Sequence, residues 1–165
     1  MIVYTENVFF LSGIQNNKTF TSKDFKDINI YDLGTHVCFC FHNSDQADLY
    51  HTDDLSKFID LIRDGIVLRK NSIYMTTSFL YELQLAIKIK NFTNRKSLNY
   101  KEVRFLKWLL LGKKTHEYAK VRNIDVKFLY NKKTLILDKI NINSLIRLYN
   151  IYLIWNKIRF NPHQI

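Results

Sequence analysis

The apolar positions of this chain fall into two regimes. Up to about residue 90, short apolar runs alternate with helical stripes; from Leu98 onward only helical stripes remain. Ile2-Val3-Tyr4 predicts a short buried strand. Phe9, Phe10, Leu11 and Ile14 follow at helix-like spacing, and Asn16-Asn17 ends that element. Ile28 to Tyr31 is a further strand candidate. His36 to Phe41, rich in aromatic and branched residues, is the clearest one. His42-Asn43-Ser44-Asp45 reads as a polar loop. Thr52-Asp53-Asp54 then supplies caps and negative charge for a helix start. Leu55, Phe58, Ile59 and Ile62 recur at steps of three and four, which predicts an amphipathic helix over Asp54 to Arg63, closed by Gly65. Ile66 to Arg69 predicts a short strand. Thr76-Thr77-Ser78 can cap another helix, with Phe79, Leu80, Leu83, Ala86 and Ile87 as its stripe, running to about Lys90. The polar, basic run 91–97 reads as a linker. This strand–helix alternation predicts a small three-layer α/β domain over residues 1–90 with a mainly parallel sheet, truncated relative to a full doubly wound fold.

The second regime predicts an all-α four-helix domain over 98–165. Leu98 to Gly112 forms the first helix, Thr115 to Arg122 a short second one, and Val126 to about Lys139 a third. Asn143 to Ile158 forms the fourth. Asn123-Ile124-Asp125 is the turn between the second and third. Ala119 is small where two helices approach, and Asn123 suits a left-handed helix end. Ile124 is expected to plug the core at the turn, and Asp125 to cap the next helix. Phe128, Leu129, Leu135 and Ile136 are expected to face inward, with Ile140 extending the stripe. Lys127, Tyr130, Asn131, Lys133 and Thr134 then share the outer face, as donors able to reach base edges or phosphates. That is the arrangement of a helix-turn-helix, whose second helix enters the major groove while the first braces it.

Charge sharpens this reading. Residues 1–92 hold 9 Lys+Arg against 11 Asp+Glu, a net of −2, whereas residues 93–165 hold 16 against 4, a net of +12. A near-neutral half joined to a strongly basic one points to a polyanionic partner for the second. With 47% apolar and 15% aromatic residues, one Pro and four Gly, the chain is globular and favours long regular elements. No apolar run approaches a bilayer span, and MIVYTENVFF lacks a basic leader followed by a long apolar core, so a cytoplasmic location is expected. Cys38 and Cys40, two apart in a strand, point to one face and are poorly placed to bridge each other; they read as small buried apolar residues. No nucleophile–base constellation, metal-ligand spacing or phosphate loop is present. The five histidines, His36, His42, His51, His116 and His163, are scattered. No enzyme activity, metal or cofactor is expected.

The run from Leu98 to Ile142 resembles the LuxR/FixJ (GerE-type) DNA-binding domain. Leu98, Glu102, Leu106, Gly112, Glu117, Ala119, Ile124, Asn131 and Lys139 match that pattern in register without a gap. Lys101, Phe105, Tyr118, Asp125, Leu129 and Ile140 are conservative replacements. Three departures stand out: Arg122 at a core Leu position, Phe128 in place of Thr, and Lys132 in place of His. The resemblance implies DNA contacts at Tyr130, Asn131, Lys133 and Thr134, with Lys127 and Lys132 beside them. It implies phosphate contact at Thr115, with backbone charge from Lys113 and Lys114. It also implies that the last helix pairs two DNA-binding domains, here through Tyr149, Tyr152, Leu153 and Trp155; packing on its own N-terminal domain is the alternative. The opening IVYTENVFFLSGI resembles the degenerate receivers of enterobacterial capsule-synthesis and acid-resistance regulators of that family. Glu6 beside Thr5, the pair His42-Asn43, Asp45 and Lys70 replace the expected phosphorylation residues incompletely, so a phosphorylation-independent pseudo-receiver is expected. The implied protein is a bacterial, dimeric transcription regulator acting on double-stranded promoter DNA, as a homodimer or with a related regulator. Binding to another regulator in place of DNA is the alternative.

Overall fold

The computed structural model describes residues 1–16, 28–41, 53–70 and 98–165. In chain order the elements are β1 (Ile2–Tyr4), α1 (Val8–Asn16), β2 (Ile28–Asp32), β3 (His36–Phe41), α2 (Asp54–Asp64), β4 (Ile66–Arg69), α3 (Tyr100–Leu110), α4 (Thr115–Arg122), α5 (Val126–Lys139), α6 (Leu145–Ile158) and β5 (Pro162–Gln164). The loop His42-Asn43-Ser44-Asp45, the helix expected from Thr76 to Lys90 and the linker 91–97 lie outside the described residues.

The five strands form one sheet in the order β4-β3-β2-β1-β5. Only β1 and β2 run parallel; the other three pairs are antiparallel. The expected mainly parallel sheet is thus corrected to a mixed, mostly antiparallel one. The cause is local. Leu33-Gly34-Thr35 is too short for a crossover, so it can join only antiparallel neighbours. Asp32 Oδ1 accepts the Gly34 N–H at 3.1 Å, and Leu33 N donates to His36 O at 2.9 Å. Gly34 sits at φ 76°, a backbone region that glycine enters without steric cost. The edge strand β5 has no counterpart among the expected strands. It carries no apolar alternation and joins by main-chain pairing to β1, with Ile2 opposite Gln164.

Side chains alternate across the sheet with the period of two that strands impose. Val3, Ile28, Ile30, Val37, Phe39 and Ile66 lie beneath Phe10, Leu11 and Ile14 of α1. Tyr4, Tyr31, Cys38, Cys40 and Val67 face the other way, into the core formed with α2 and α6. Cys38 and Cys40 share that face as expected, their sulfurs 3.8 Å apart with no disulfide between them. Gly65 packs so closely on them that any side chain there would collide with both.

On its far side α2 meets the helical half. The buried Phe58 ring lies 5.2 Å from Tyr152 and 5.6 Å from Trp155, both on α6. Arg159 grips Asp54 with two nitrogens, one at 2.6 Å. Lys107 of α3 reaches Asp53 at 2.8 Å and holds that carboxyl down at about 2. Asn141 donates to Val67 O of β4 at 3.1 Å. One continuous core therefore joins residues before and after the expected linker. Among the described residues, no helix is long and apolar enough to cross a membrane.

Phe58→Ala should open a void between α2 and α6 and cost about 3–5 kcal/mol. Heating, followed by both tryptophan fluorescence and far-ultraviolet dichroism, should give a single coincident transition at a lowered temperature. Two transitions, of which only one moves, would mean that each half keeps its own core.

Candidate nucleic-acid interface

The stretch expected to form a helix-turn-helix is set by caps at each junction. Asn99 Oδ1 accepts the Glu102 N–H and Glu102 Oε2 accepts the Asn99 N–H, both at 3.0 Å, a reciprocal cap that starts α3. Gly112 follows α3 at φ 75°. The Trp108 indole donates to Lys114 O at 3.1 Å, and the Phe105 and Tyr118 rings sit 4.9 Å apart, locking α4 against α3. Asn123 is left-handed, φ 52°, as its place at the end of α4 predicts, and Ile124 N donates to Ala119 O at 3.0 Å. Asp125 Oδ1 accepts the Phe128 N–H at 2.8 Å and caps α5.

Glu102 then ties α5 to α3. Its carboxylate is buried and lies 2.6 Å from Lys132 Nζ and 2.8 Å from Lys139 Nζ. Burial pushes the carboxyl up, but hydrogen bonds from Lys132, Lys139 and the Asn99 N–H outweigh it and hold the group below its ordinary value. Sequence reasoning left this clamp out. The legible signal was Asn99 three residues before Glu102, a cap pattern that turns the acid inward.

Leu129, Ile136, Leu137 and Ile140 form the buried face of α5. Phe128 and Leu135 do not: each is 57% exposed, which corrects the expected inward stripe. Each precedes a buried residue by one position and is therefore rotated about 100° off the core axis. Ile124 also lies at the surface and does not plug the core. Arg122 is exposed above the Tyr118 ring, 5.9 Å from its centre, so its cation is not buried in the core.

Of the expected DNA-contacting residues, Lys113, Lys114, Lys127, Tyr130, Asn131 and Thr134 are exposed, and Lys133 is half-buried, 4.9 Å over the Tyr130 ring. Thr115 is only 7% exposed, packed inward on the first turn of α4 and poorly placed for phosphate. Lys132 is committed to Glu102. Among the described residues, Lys113, Lys114, Lys120, Arg122, Lys127 and Lys133 have no carboxylate partner, so their charge is not neutralised within the fold. Lys120 and Arg122 extend the candidate surface beyond the residues implied by the resemblance.

The expected dimer residues divide. Tyr149 and Leu153 are exposed, with Ile146 on the same side of α6. Trp155, 5% exposed, and Tyr152 pack on Phe58 of their own chain, which corrects their assignment to a second copy. His36 is buried, His116 is exposed, and His163 bonds to Thr5 O; His42 and His51 lie outside the described residues. Lys70, the expected receiver lysine, pairs with Asp32 at 2.7 Å.

Comparison with protein-family models, characterised proteins and solved structures finds no match for this chain.

Because the folded carboxyl of Glu102 lies below its unfolded value, its contribution to stability is complete above about pH 4.3 and is lost as pH falls through the folded value. Glu102→Gln should cost about 2 kcal/mol near neutrality, less than a fully enclosed pair because the lysines remain 31% and 28% exposed. The gap between wild type and variant, read by urea unfolding, should narrow as pH falls below the ordinary glutamate value of about 4.3. A pH-independent gap would mean that the group is not ionised in the fold.

Proposed function

We propose that this chain is a bacterial DNA-binding transcription regulator of LuxR/FixJ type, with α5 as the helix that reads the major groove. The observation that carries this reading is the outer face of α5. Lys127, Asn131 and Thr134 are exposed there on successive turns, behind a left-handed turn at Asn123 and a cap at Asp125. Asn can bond two edges of adenine at once, and lysine and threonine serve bases or phosphates. Lys113, Lys114, Lys120 and Arg122 flank that helix on α4 and its approach, free to neutralise the backbone on either side. Asp138 shares the outer face near the C-terminal end of α5, so base reading belongs to its first two turns.

The resemblance adds a dimer on a palindromic site, in the cytoplasm and bound to the nucleoid. With Trp155 buried and Tyr152 partly buried against Phe58, that dimer would rest on the stripe Ile146, Tyr149 and Leu153. The N-terminal half would serve as an interaction surface independent of phosphorylation. A second reading, a modulator that binds another regulator, has one observation in its favour: Val121, Phe128 and Leu135 give the same region apolar exposure of 57–67%.

Selection from a random DNA pool should recover a palindromic sequence with the wild type and none with Asn131→Ala/Lys133→Ala. Affinity should fall with salt at a logarithmic slope of about −5 per subunit if six cations meet phosphates. Equal, sequence-blind binding by both proteins would sink the regulatory reading and favour the modulator.

A further inference from the structure

Phe128 stands out among the exposed groups of α5. It is the third residue of the helix, and its N–H is fixed by the Asp125 cap at 2.8 Å. The ring has no place in the core and no ring partner among the described residues. More than half of its surface therefore faces water, although the backbone that carries it is held by the cap. The first turn is also where a groove-reading helix meets base edges. The apolar group that the major groove offers there is the thymine C5-methyl. Asn131 lies one turn further on, about 4.5 Å along the axis, against a rise of about 3.4 Å between neighbouring base pairs. Its amide matches the N6 and N7 edge of adenine.

Resting on the regulatory reading above, we propose that Phe128 covers the C5-methyl of a thymine next to an adenine held by Asn131, so that each half-site contains adjacent A·T pairs. Phe128 then sets specificity, while the unpaired cations set affinity. The ring gains by leaving water only where a methyl meets it, and a cytosine at that position presents none.

The test leaves the protein untouched. In the selected duplex, deoxyuridine replaces thymidine one position at a time, which removes the methyl and keeps the pairing edge. The wild type should lose about fourfold in affinity per contacted methyl, at symmetry-related positions. Phe128→Ala should bind the thymine duplex more weakly and no longer distinguish it from the uracil duplex, with unchanged dichroism. Phe128→Leu should recover part of the discrimination. A selected duplex that tolerates uracil everywhere, or an equal uracil penalty in Phe128→Ala, overturns the inference alone. Failure to select any sequence overturns the regulatory reading, and the inference falls with it.

Discussion

A single buried carboxylate, that of Glu102, sets how the helical half presents its surface. Two lysines seven residues apart on α5 converge on it, while its backbone partner Asn99 starts α3. Seven residues are close to two helical turns, so Lys132 and Lys139 occupy one side of α5 and fix its rotation. With that side turned to α3, Lys127, Asn131 and Thr134 have to face outward. A buried ion pair adds little net stability, because desolvation offsets much of the attraction. Its stronger effect is on orientation: any other rotation of α5 would leave the buried Glu102 charge with the Asn99 N–H but without either lysine. Two cations of the basic half are spent in this way, so the charge available to a polyanion is lower than the sequence total implies.

The second constraint is α2, which belongs to two layers at once. It covers the cysteine face of the sheet and receives Trp155 and Tyr152 from α6. The chain end then crosses back as β5 along β1, where His163 bonds to Thr5 O at 3.1 Å. The last helix is therefore already buried along one side. A second copy can meet only the narrower stripe of Ile146, Tyr149 and Leu153. Any signal that moved the sheet relative to α2 would reach α6 directly, because Phe58 touches both of its rings.

The helices of the second half were legible to within two residues. Their ends are marked by local chemistry: Gly112, Asn123, Asp125 and Ser144 each act within one turn of where they stand. Strand direction was not legible in the same way. The alternation of elements suggests crossovers, but a hairpin as tight as Leu33-Gly34-Thr35 overrides it. The strand β5 carries no pattern at all, since an edge strand can be held by main-chain bonds alone. On α5 the expected stripe holds at Leu129, Ile136 and Ile140 but not at Phe128 and Leu135, and Leu137 is buried in addition. Phe128 and Leu135 look equivalent to Leu129 and Ile136 until the Glu102 clamp fixes the rotation. Lys132 was misassigned for the same reason: a lysine near a helix's outer face reads as solvated until a buried acid two helices away is seen to claim it.

These misreadings share a consequence for how the surface would work. A face of lysines alone attracts any nucleic acid, because phosphates are the same at every step. Discrimination needs groups that gain only at certain base pairs, and a clamp that withdraws one lysine and exposes one phenylalanine shifts the face in that direction. Lys132 bound to Glu102 removes a sequence-blind contact from the middle of α5. Phe128, turned out by the same rotation, adds a group with no use for phosphate. The apolar exposure that weighs toward a protein partner is therefore also what a selective DNA reader requires. The two readings differ only in whether the ring meets a base methyl or a side chain.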